Sequence, residues 1–332
     1  MKLTWFLIIL VLVVIGCSVY KFTKQQKAMV SIGFYNVENL FDTINSPGIR
    51  DGEFTPEGSK AYTSKIYNEK IANLGKVINA FDGGAPDVLG VAEIENRDVL
   101  EDLCQAQLPN HKIVHYNSPD GRGIDVAILY NYSTVEIEKS YPIGVKMADN
   151  ANFKTRDILC VEAIYKPANK DFTFYVNHWP SRVGGEKESA PKRYLAASVL
   201  KASVDSALQE NPDERIVIMG DFNDEPTDSS LVYGLKAVSL GQIKGHYDLL
   251  NLSYKLQEEG LGTYNYRGDY NMLDQFIVSK PLTRNTTHTI VKHDWMMYVP
   301  KSGVPVPSRS YGGDTYYGGY SDHLPIQLFV KF

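Results

Sequence analysis

Two continuous apolar segments, each of which ends at a carboxylate, constrain the fold of this sequence most. Residues 87–92 run into Glu93, and residues 215–219 run through Gly220 into Asp221. A short apolar segment without alternation is typical of a strand that is buried on both faces. The glycine permits a sharp exit from the second strand. Both carboxylates are therefore expected to project beyond the ends of buried strands.

Helical and extended segments alternate along both halves of the chain. Apolar residues at three- and four-residue steps predict helices near residues 62–81, 97–108 and 192–209. Strands are predicted at residues 31–36, 87–92, 112–116, 125–130, 158–165, 172–178, 215–219, 272–278 and 326–332. This order predicts an α/β fold in which two sheets pack face to face with helices outside. We expect one domain over residues 30–332.

The N-terminus has the pattern of an export signal. Lys2 is followed by an apolar run and then by Val14-Ile15-Gly16-Cys17, which resembles the bacterial lipobox. The resemblance implies cleavage before Cys17 and lipidation of its thiol. An uncleaved membrane anchor and plain secretion are the alternatives. All three place the protein in or beyond the bacterial cell envelope, with residues 1–17 as leader or anchor and residues 18–29 as tether.

Charge and cysteine content limit the possible functions. The 332 residues carry a formal charge of -5, so bulk attraction to nucleic acid is not expected and a bound cation would supply positive charge locally. Cys104 and Cys160 are expected to be buried free thiols, although an exported protein also permits a disulfide. Residues 293–320 are rich in Tyr, Gly and Pro and predict a long ordered loop near a site. No obligate protein partner is evident.

Oxygen-bearing side chains follow three of the predicted strands. Asp221 and Asn223 follow one strand, Glu93 ends a second and Asn36 ends the first. Carboxylate and amide oxygens suit a hard cation such as Mg²⁺. A turn, a helix start or a cap would explain each residue taken singly.

Histidines and arginines form a second set of candidates. His323 in Ser321-Asp322-His323 precedes the last strand and is expected to activate water if Asp274 fixes its tautomer. His178 ends another strand, but a lone histidine is often structural. Arg156 and Arg182 either bind phosphate or form salt bridges.

Together these residues resemble the endonuclease/exonuclease/phosphatase superfamily, which includes nucleases similar to deoxyribonuclease I. The resemblance extends from Ser31 to Phe332. More narrowly, the sequence resembles bacterial exported nuclease-like members of the superfamily. The residues that carry the resemblance occur in the family's order: Asn36, Glu93, His178, Asp221, Asn223, Asp274, Asp322 and His323.

The resemblance implies a four-layer α/β/β/α sandwich with the site where the strand ends of both sheets meet. It implies Mg²⁺, with Mn²⁺ or Ca²⁺ possible, held by Glu93 with Asn36 and Asp322 close by. His323, oriented by Asp274, would act as general base or phosphate ligand. The roles implied for the others are water activation by Asp221, phosphate binding by Asn223, and phosphate binding or leaving-group protonation by His178. Asp125 is either structural or a further member of the site.

Three functions are consistent with this pattern. A nuclease at the cell surface that acts on DNA or RNA is the leading interpretation. A phosphodiesterase or phosphatase acting on lipids or small phosphate esters is the alternative, to which the membrane tether and aromatic segment 295–298 would contribute. A non-catalytic binding protein would be expected to have lost Glu93, Asp221 or His323, and all three are present.

Overall fold

The structure is a computed structural model that describes residues 29–245 and 247–332. The expected leader at residues 1–17 and all of the expected tether except Met29 lie outside the described residues. Among the described helices, none is long and apolar enough to cross a membrane.

Strands dominate the described chain. In chain order they are β1 (Met29–Leu40), β2 (Val88–Ile94), β3 (His111–His115), β4 (Asp125–Asn131), β5 (Val135–Ile143), β6 (Ile158–Tyr165), β7 (Lys170–His178), β8 (Ile216–Asp221), β9 (Ala237–Val238), β10 (Leu249–Asn251), β11 (Tyr264–Tyr266), β12 (Asp269–Asn271), β13 (Asp274–Val278), β14 (Thr286–Ile290), β15 (Met297–Tyr298), β16 (Val306–Pro307), β17 (Tyr311–Gly312), β18 (Thr315–Tyr316) and β19 (Ile326–Lys331). The first sheet has the order β14-β19-β1-β2-β4-β3, and the second has the order β5-β6-β7-β8-β13-β10-β9. Both sheets are mixed. The pairs β1–β2, β7–β8 and β9–β10 are parallel, and the other neighbouring strands run antiparallel.

The helices are α1 (Ser64–Ile78), α2 (Arg97–Gln107), α3 (Glu186–Glu210) and α4 (Tyr254–Glu258). Helices α1 and α2 bury their apolar faces against the outer side of the first sheet, and α3 does so against the second. The side chain of Asn96 accepts a hydrogen bond from the backbone N–H of Val99, 3.1 Å away, and so satisfies a donor at the start of α2.

The central core lies between the two sheets. Side chains such as Phe34 and Ile128 of the first sheet pack with Phe174, Met219 and Phe276 of the second. With helices on both outer faces, the protein has the predicted four-layer α/β/β/α arrangement. Burial of both faces explains why the central strands are continuous apolar segments in the sequence.

Differences from the sequence-based prediction occur at edges and ends. Strands β5 and β14 were not predicted, because edge strands are half exposed and carry polar residues. Helix α3 begins at Glu186, with Pro191 inside it, six residues before the predicted start. The predicted loop at 293–320 includes the short strands β15 to β18. Cys104 and Cys160 are buried free thiols, as predicted.

Candidate active site

Strand directions bring the predicted site residues to one end of both sheets. The parallel pair β1 and β2 places Asn36 and Glu93 there, and the parallel pair β7 and β8 places His178 opposite Asp221. Asp274 is the antiparallel partner of Asp221 at the start of β13. His323 lies just before β19, which runs antiparallel to β1 and so begins at the same end.

Glu93 is directed into the site by a β-bulge. The register between β2 and β4 shifts between Ala92 and Ile94, and Glu93 adopts a positive φ of 64°. A bulge redirects a side chain in this way at the end of a ladder. One carboxylate oxygen accepts a hydrogen bond from the backbone N–H of Asn39 at 3.1 Å. The other faces the site, 3.7 Å from Nε2 of His178.

Asp221 connects the two sheets at the centre of the site. Its Oδ2 accepts a hydrogen bond from Nδ2 of Asn36 at 3.1 Å, and its Oδ1 accepts one from the backbone N–H of Asn223 at 2.9 Å. Burial, followed by the carboxylates of Asp274 and Glu93, raises the pKa of Asp221 to about 7, although His323 opposes the shift. A carboxyl group with this pKa can exchange a proton near neutral pH.

His323 is held by Asp274 as the sequence predicted. Nδ1 of His323 donates to Oδ2 of Asp274 at 2.7 Å, and Nε2 lies 3.9 Å from Oδ2 of Asp221. Burial alone would lower the pKa of His323, but Asp274, Asp221 and Asp322 raise it well above its usual value. The raised pKa favours the cationic imidazole, a form that suits hydrogen-bond donation to phosphate.

His178 has the opposite electrostatic environment. Burial first, then Arg156, Arg122 and His323, lower its pKa well below the usual value. Its Nε2 lies 3.7 Å from Asp221 Oδ2, and its buried Nδ1 has no hydrogen-bond partner among the described residues. A neutral imidazole of this kind suits donation of an N–H to a phosphoryl oxygen.

Asn223 and Arg182, two further predicted site residues, contact each other. Asn223 donates from Nδ2 to the carbonyl oxygen of Trp179 at 3.0 Å, and its own carbonyl accepts from Nε of Arg182 at 2.7 Å. Arg182 also contacts Asp228 at 3.2 Å. Its contacts hold the loop that carries Asn223 in place. Arg182 thus positions Asn223, and these contacts do not support the predicted role in phosphate binding.

Arg156 is corrected in the same way. Its Nε donates to the carbonyl oxygen of His178 at 3.0 Å, Nη1 contacts Asp120 at 3.1 Å and Nη2 donates to the carbonyl oxygen of Trp179. The side chain is buried. With each guanidinium nitrogen bound to protein, Arg156 fixes the backbone at the end of β7 and does not clamp phosphate directly.

Asp125 has a structural environment. Its carboxylate accepts hydrogen bonds from the backbone N–H of Ser118 at 2.9 Å and contacts Nε2 of His115 at 2.9 Å. These contacts close the turn that precedes β4. They account for Asp125 without a role in the chemistry.

The donor set fits a divalent cation. Ligand atoms of Asp221, Asp274 and His323 lie within 4.8 Å of one another, but a hydrogen bond already joins His323 to Asp274, so the predicted Glu93 and Asp322 stay the candidate ligands. Burial and then Glu93 raise the pKa of Asp322 while His323 opposes the shift, as expected for neighbouring carboxylates. A hard cation would relieve the repulsion between them. Asn36 donates from Nδ2 to Asp221 and so bridges the sheets, and its Oδ1 accepts from the backbone N–H of Glu38 at 3.0 Å, which leaves one lone pair of Oδ1 for the predicted metal contact.

Sequence reasoning missed three residues around the centre. Arg309 Nη2 lies 3.6 Å from Oδ2 of Asp322, and Arg122 contributes to the low pKa of His178. Both guanidinium side chains are 42% exposed, so they are accessible to a substrate. Buried Lys70 donates to Ser310 Oγ and to the carbonyl oxygens of Glu38 and Tyr320. The turn before β4 is a local feature of the sequence that could have pointed to Arg122. No local feature of the sequence points to Arg309 or Lys70.

A match to a family model establishes the family of the chain. Residues 31–332 match the model of the endonuclease/exonuclease/phosphatase family. The chain belongs to this family. Its enzymes are hydrolases that cleave phosphate esters with divalent metal ions, so the protein is a phosphoesterase of this class. A search of curated proteins finds no match.

Solved structures of this family share the fold at low sequence identity. The catalytic domain of human Nocturnin with bound sulfate superimposes with a TM-score of 0.58 at 14% identity, over 92% of this chain and 95% of that chain. Truncated TDP2 from Caenorhabditis elegans gives 0.57 at 18% identity, over 92% and 98%. The mannosyl-6-phosphatase Bt3783 from Bacteroides thetaiotaomicron gives 0.57 at 15% identity, over 91% and 99%. These similarities confirm the fold.

Proposed function

We propose that this member of the family is a metal-dependent nuclease that hydrolyses phosphodiester bonds of DNA or RNA. One arrangement carries the proposal. Partly exposed arginines lie on two sides of the centre formed by Glu93, Asp221 and the two histidines. Arg122 lies 3.9 Å from Asp120, which contacts the Arg156 that binds the His178 carbonyl oxygen, and Arg309 lies 3.6 Å from Asp322. A polynucleotide presents phosphates on both sides of the scissile one, and arginine suits such contacts.

Each residue of the centre has a role in an in-line attack by water. Asp221, held by Asn36 and Asn223, orients the water and accepts its proton. Cationic His323 and neutral His178 donate hydrogen bonds to the phosphoryl oxygens, on which negative charge increases in the transition state. Glu93 would hold the divalent ion, with Asp322 close by. When bound there, a divalent ion would supply Lewis-acid stabilisation of the phosphoryl oxygens.

A phosphatase acting on small phosphate esters is the second candidate. The observation that favours it is a cavity of about 440 Å³ next to Asp322, a size that suits a small ligand. One structural neighbour is named a mannosyl-6-phosphatase, and it is 15% identical to this chain. The same centre would then act on a terminal phosphate.

Substrate assays separate the candidates. The purified full-length protein is incubated with Mg²⁺ or with EDTA and with supercoiled plasmid, single-stranded RNA, mannose 6-phosphate or sphingomyelin vesicles. We expect Mg²⁺-dependent cleavage of a nucleic acid. Intact nucleic acid together with release of inorganic phosphate or phosphocholine would replace the nuclease proposal with the corresponding alternative.

We also propose that Cys17 attaches the protein to the bacterial envelope. The proposal rests on the sequence Val14-Ile15-Gly16-Cys17, which lies outside the described residues. Substitution of Cys17→Ala in the native host is expected to abolish incorporation of labelled fatty acid. Unchanged labelling would exclude lipidation at this cysteine.

A further inference from the structure

A cavity formed largely by the 293–320 segment adjoins the site at Asp322. It has a volume of about 440 Å³, and its lining includes Tyr298, Val306, Pro307 and Tyr317. Tyr298 is 58% exposed and Tyr317 is 64% exposed. Large aromatic side chains are usually buried, so two exposed rings in the wall of one cavity are available to a ligand.

The polar side chains of the cavity include two donors, Asn265 and Arg309, beside the Ser308 hydroxyl and the Asp322 carboxylate. Nδ2 of Asn265 is buried and has no hydrogen-bond partner among the described residues, whereas its Oδ1 accepts from the backbone N–H of Gly268 at 3.1 Å. A buried donor without an acceptor is costly. Nδ2 itself is not exposed to the cavity, so the Asn265 side chain would turn to donate to a ligand acceptor. Arg309 adds a guanidinium 3.6 Å from Asp322, at the boundary between cavity and centre. A ligand that matches this lining has a planar ring, an acceptor and a phosphate.

We propose that the cavity binds the base of one unpaired nucleotide next to the scissile phosphate, an inference that rests on the proposed nuclease function. Tyrosine rings stack on any base, so the cavity would be tolerant of sequence. Asn265 would donate to the base or sugar, and Arg309 would contact the phosphate. A base within a duplex is stacked and paired and cannot enter a bounded cavity without leaving the stack. The preferred substrate is therefore a single strand.

Three oligonucleotides of equal length test the inference with the full-length protein and Mg²⁺. They are a single-stranded DNA, the corresponding duplex, and a single strand in which tetrahydrofuran replaces every nucleoside sugar and base. We expect kcat/KM for the ordinary single strand to exceed that for each of the others about tenfold or more, since stacking contributes at this level per base. In the Tyr298→Ala/Tyr317→Ala variant, the ratio between ordinary and abasic strands should fall to about one.

Two control variants separate stacking from a general loss of structure. The Tyr298→Phe/Tyr317→Phe variant keeps both rings and should keep the preference. Tyr132→Ala removes a ring that is 44% exposed beyond the end of β4, opposite to the end at which the site lies, and should also keep it. Equal cleavage of all three oligonucleotides by the wild type overturns the base-binding inference and leaves the nuclease proposal standing. Cleavage of none of the three, together with intact single-stranded RNA in the substrate assays, overturns both.

Discussion

At the scale of single residues, uncommon backbone conformations shape the site. Glu93 has a φ of 64°, Asn223 of 50°, Glu38 of 53° and Asn39 of 55°. Non-glycine residues in this region cost about 1–3 kcal/mol each and persist where surrounding contacts hold them. Here the contacts are those within the site, such as the hydrogen bond from Asn39 to Glu93. The same contacts therefore hold the positive φ angles near the strand ends and the direction of the Glu93 carboxylate.

Glu93→Gln tests the assignment of the metal ligand. The amide keeps the size of the side chain and removes the charge that would hold the cation. We expect turnover to fall about a hundredfold or more, because a metal site of this kind stabilises transition-state charge by several kcal/mol. Calorimetric titration with Mn²⁺ should show weaker binding, while circular dichroism remains that of the wild type. Wild-type metal affinity together with full activity would refute the assignment.

The Asp274–His323 pair gives a second prediction. Asp274→Asn removes the first of the neighbours that raise the pKa of His323, so this pKa should fall. The measurement is an NMR titration of the His323 ring in metal-free protein. His323→Ala should lower turnover about 10²- to 10³-fold, because it removes a hydrogen-bond donor to the phosphoryl oxygens in the transition state. If Asp274→Asn leaves the His323 pKa unchanged, another group maintains the cationic imidazole.

At the scale of elements, a buried lysine attaches the 293–320 segment to the sheets. Nζ of Lys70 in α1 donates to the carbonyl oxygen of Glu38 at 2.9 Å and to Oγ of Ser310 at 2.6 Å. The Glu38 carboxylate accepts from the backbone N–H groups of Ser310 and Tyr311. Burial lowers the pKa of Lys70 and raises that of Glu38, and each opposes the shift of the other. The charged form of each side chain therefore favours the charged form of the other.

Lys70→Met should loosen this attachment. The substitution leaves the Glu38 carbonyl oxygen and Ser310 Oγ without their donor and removes a cation that lowers the pKa of Glu38, so we expect a loss of about 1–3 kcal/mol in the free energy of unfolding measured with urea. The segment 293–320 should also become sensitive to limited proteolysis. In the matched variant Lys70→Met/Glu38→Gln both charges are absent, and part of the stability should return. An equally unstable double variant would show that Lys70 acts through its hydrogen bonds alone.

The elements also show how far the sequence predicts the structure. The central strands and the residues at their ends were predicted, because burial on both faces leaves continuous apolar segments that stop at polar residues. Edge strands β5 and β14 were missed because they lack that pattern. For Arg156 and Arg182, phosphate binding and salt bridges were both open, because a sequence does not show that a guanidinium is occupied by backbone carbonyls. Lys70 and Arg309 enter the picture only through contacts between distant segments.

At the scale of the whole molecule, the two sheets must stay in register for the site to exist. Asn36 and Asp221 bridge them at the catalytic end. Away from that end, His288 of β14 in the first sheet contacts Oγ of Ser253, which follows β10 of the second sheet. Nδ1 of His288 donates to the carbonyl oxygen of Gln327 at 3.1 Å, so Nε2 accepts from Ser253 in the neutral ring.

His288 therefore makes stability depend on pH. Burial lowers its pKa from 6.5 to about 4 in the folded protein, while Gln327 opposes the shift. The folded state thus binds fewer protons than the unfolded state between these values, and stability present above pH 6.5 is lost as the pH falls towards 4. The loss from one such group is at most about 1.4 kcal/mol per pH unit.

Urea unfolding of the wild type and of His288→Gln across this pH range measures the loss of stability. The two stability curves should converge towards acid pH and run parallel above pH 7, because the variant lacks the titrating ring. Curves that run parallel throughout would show that other groups cause the acid sensitivity.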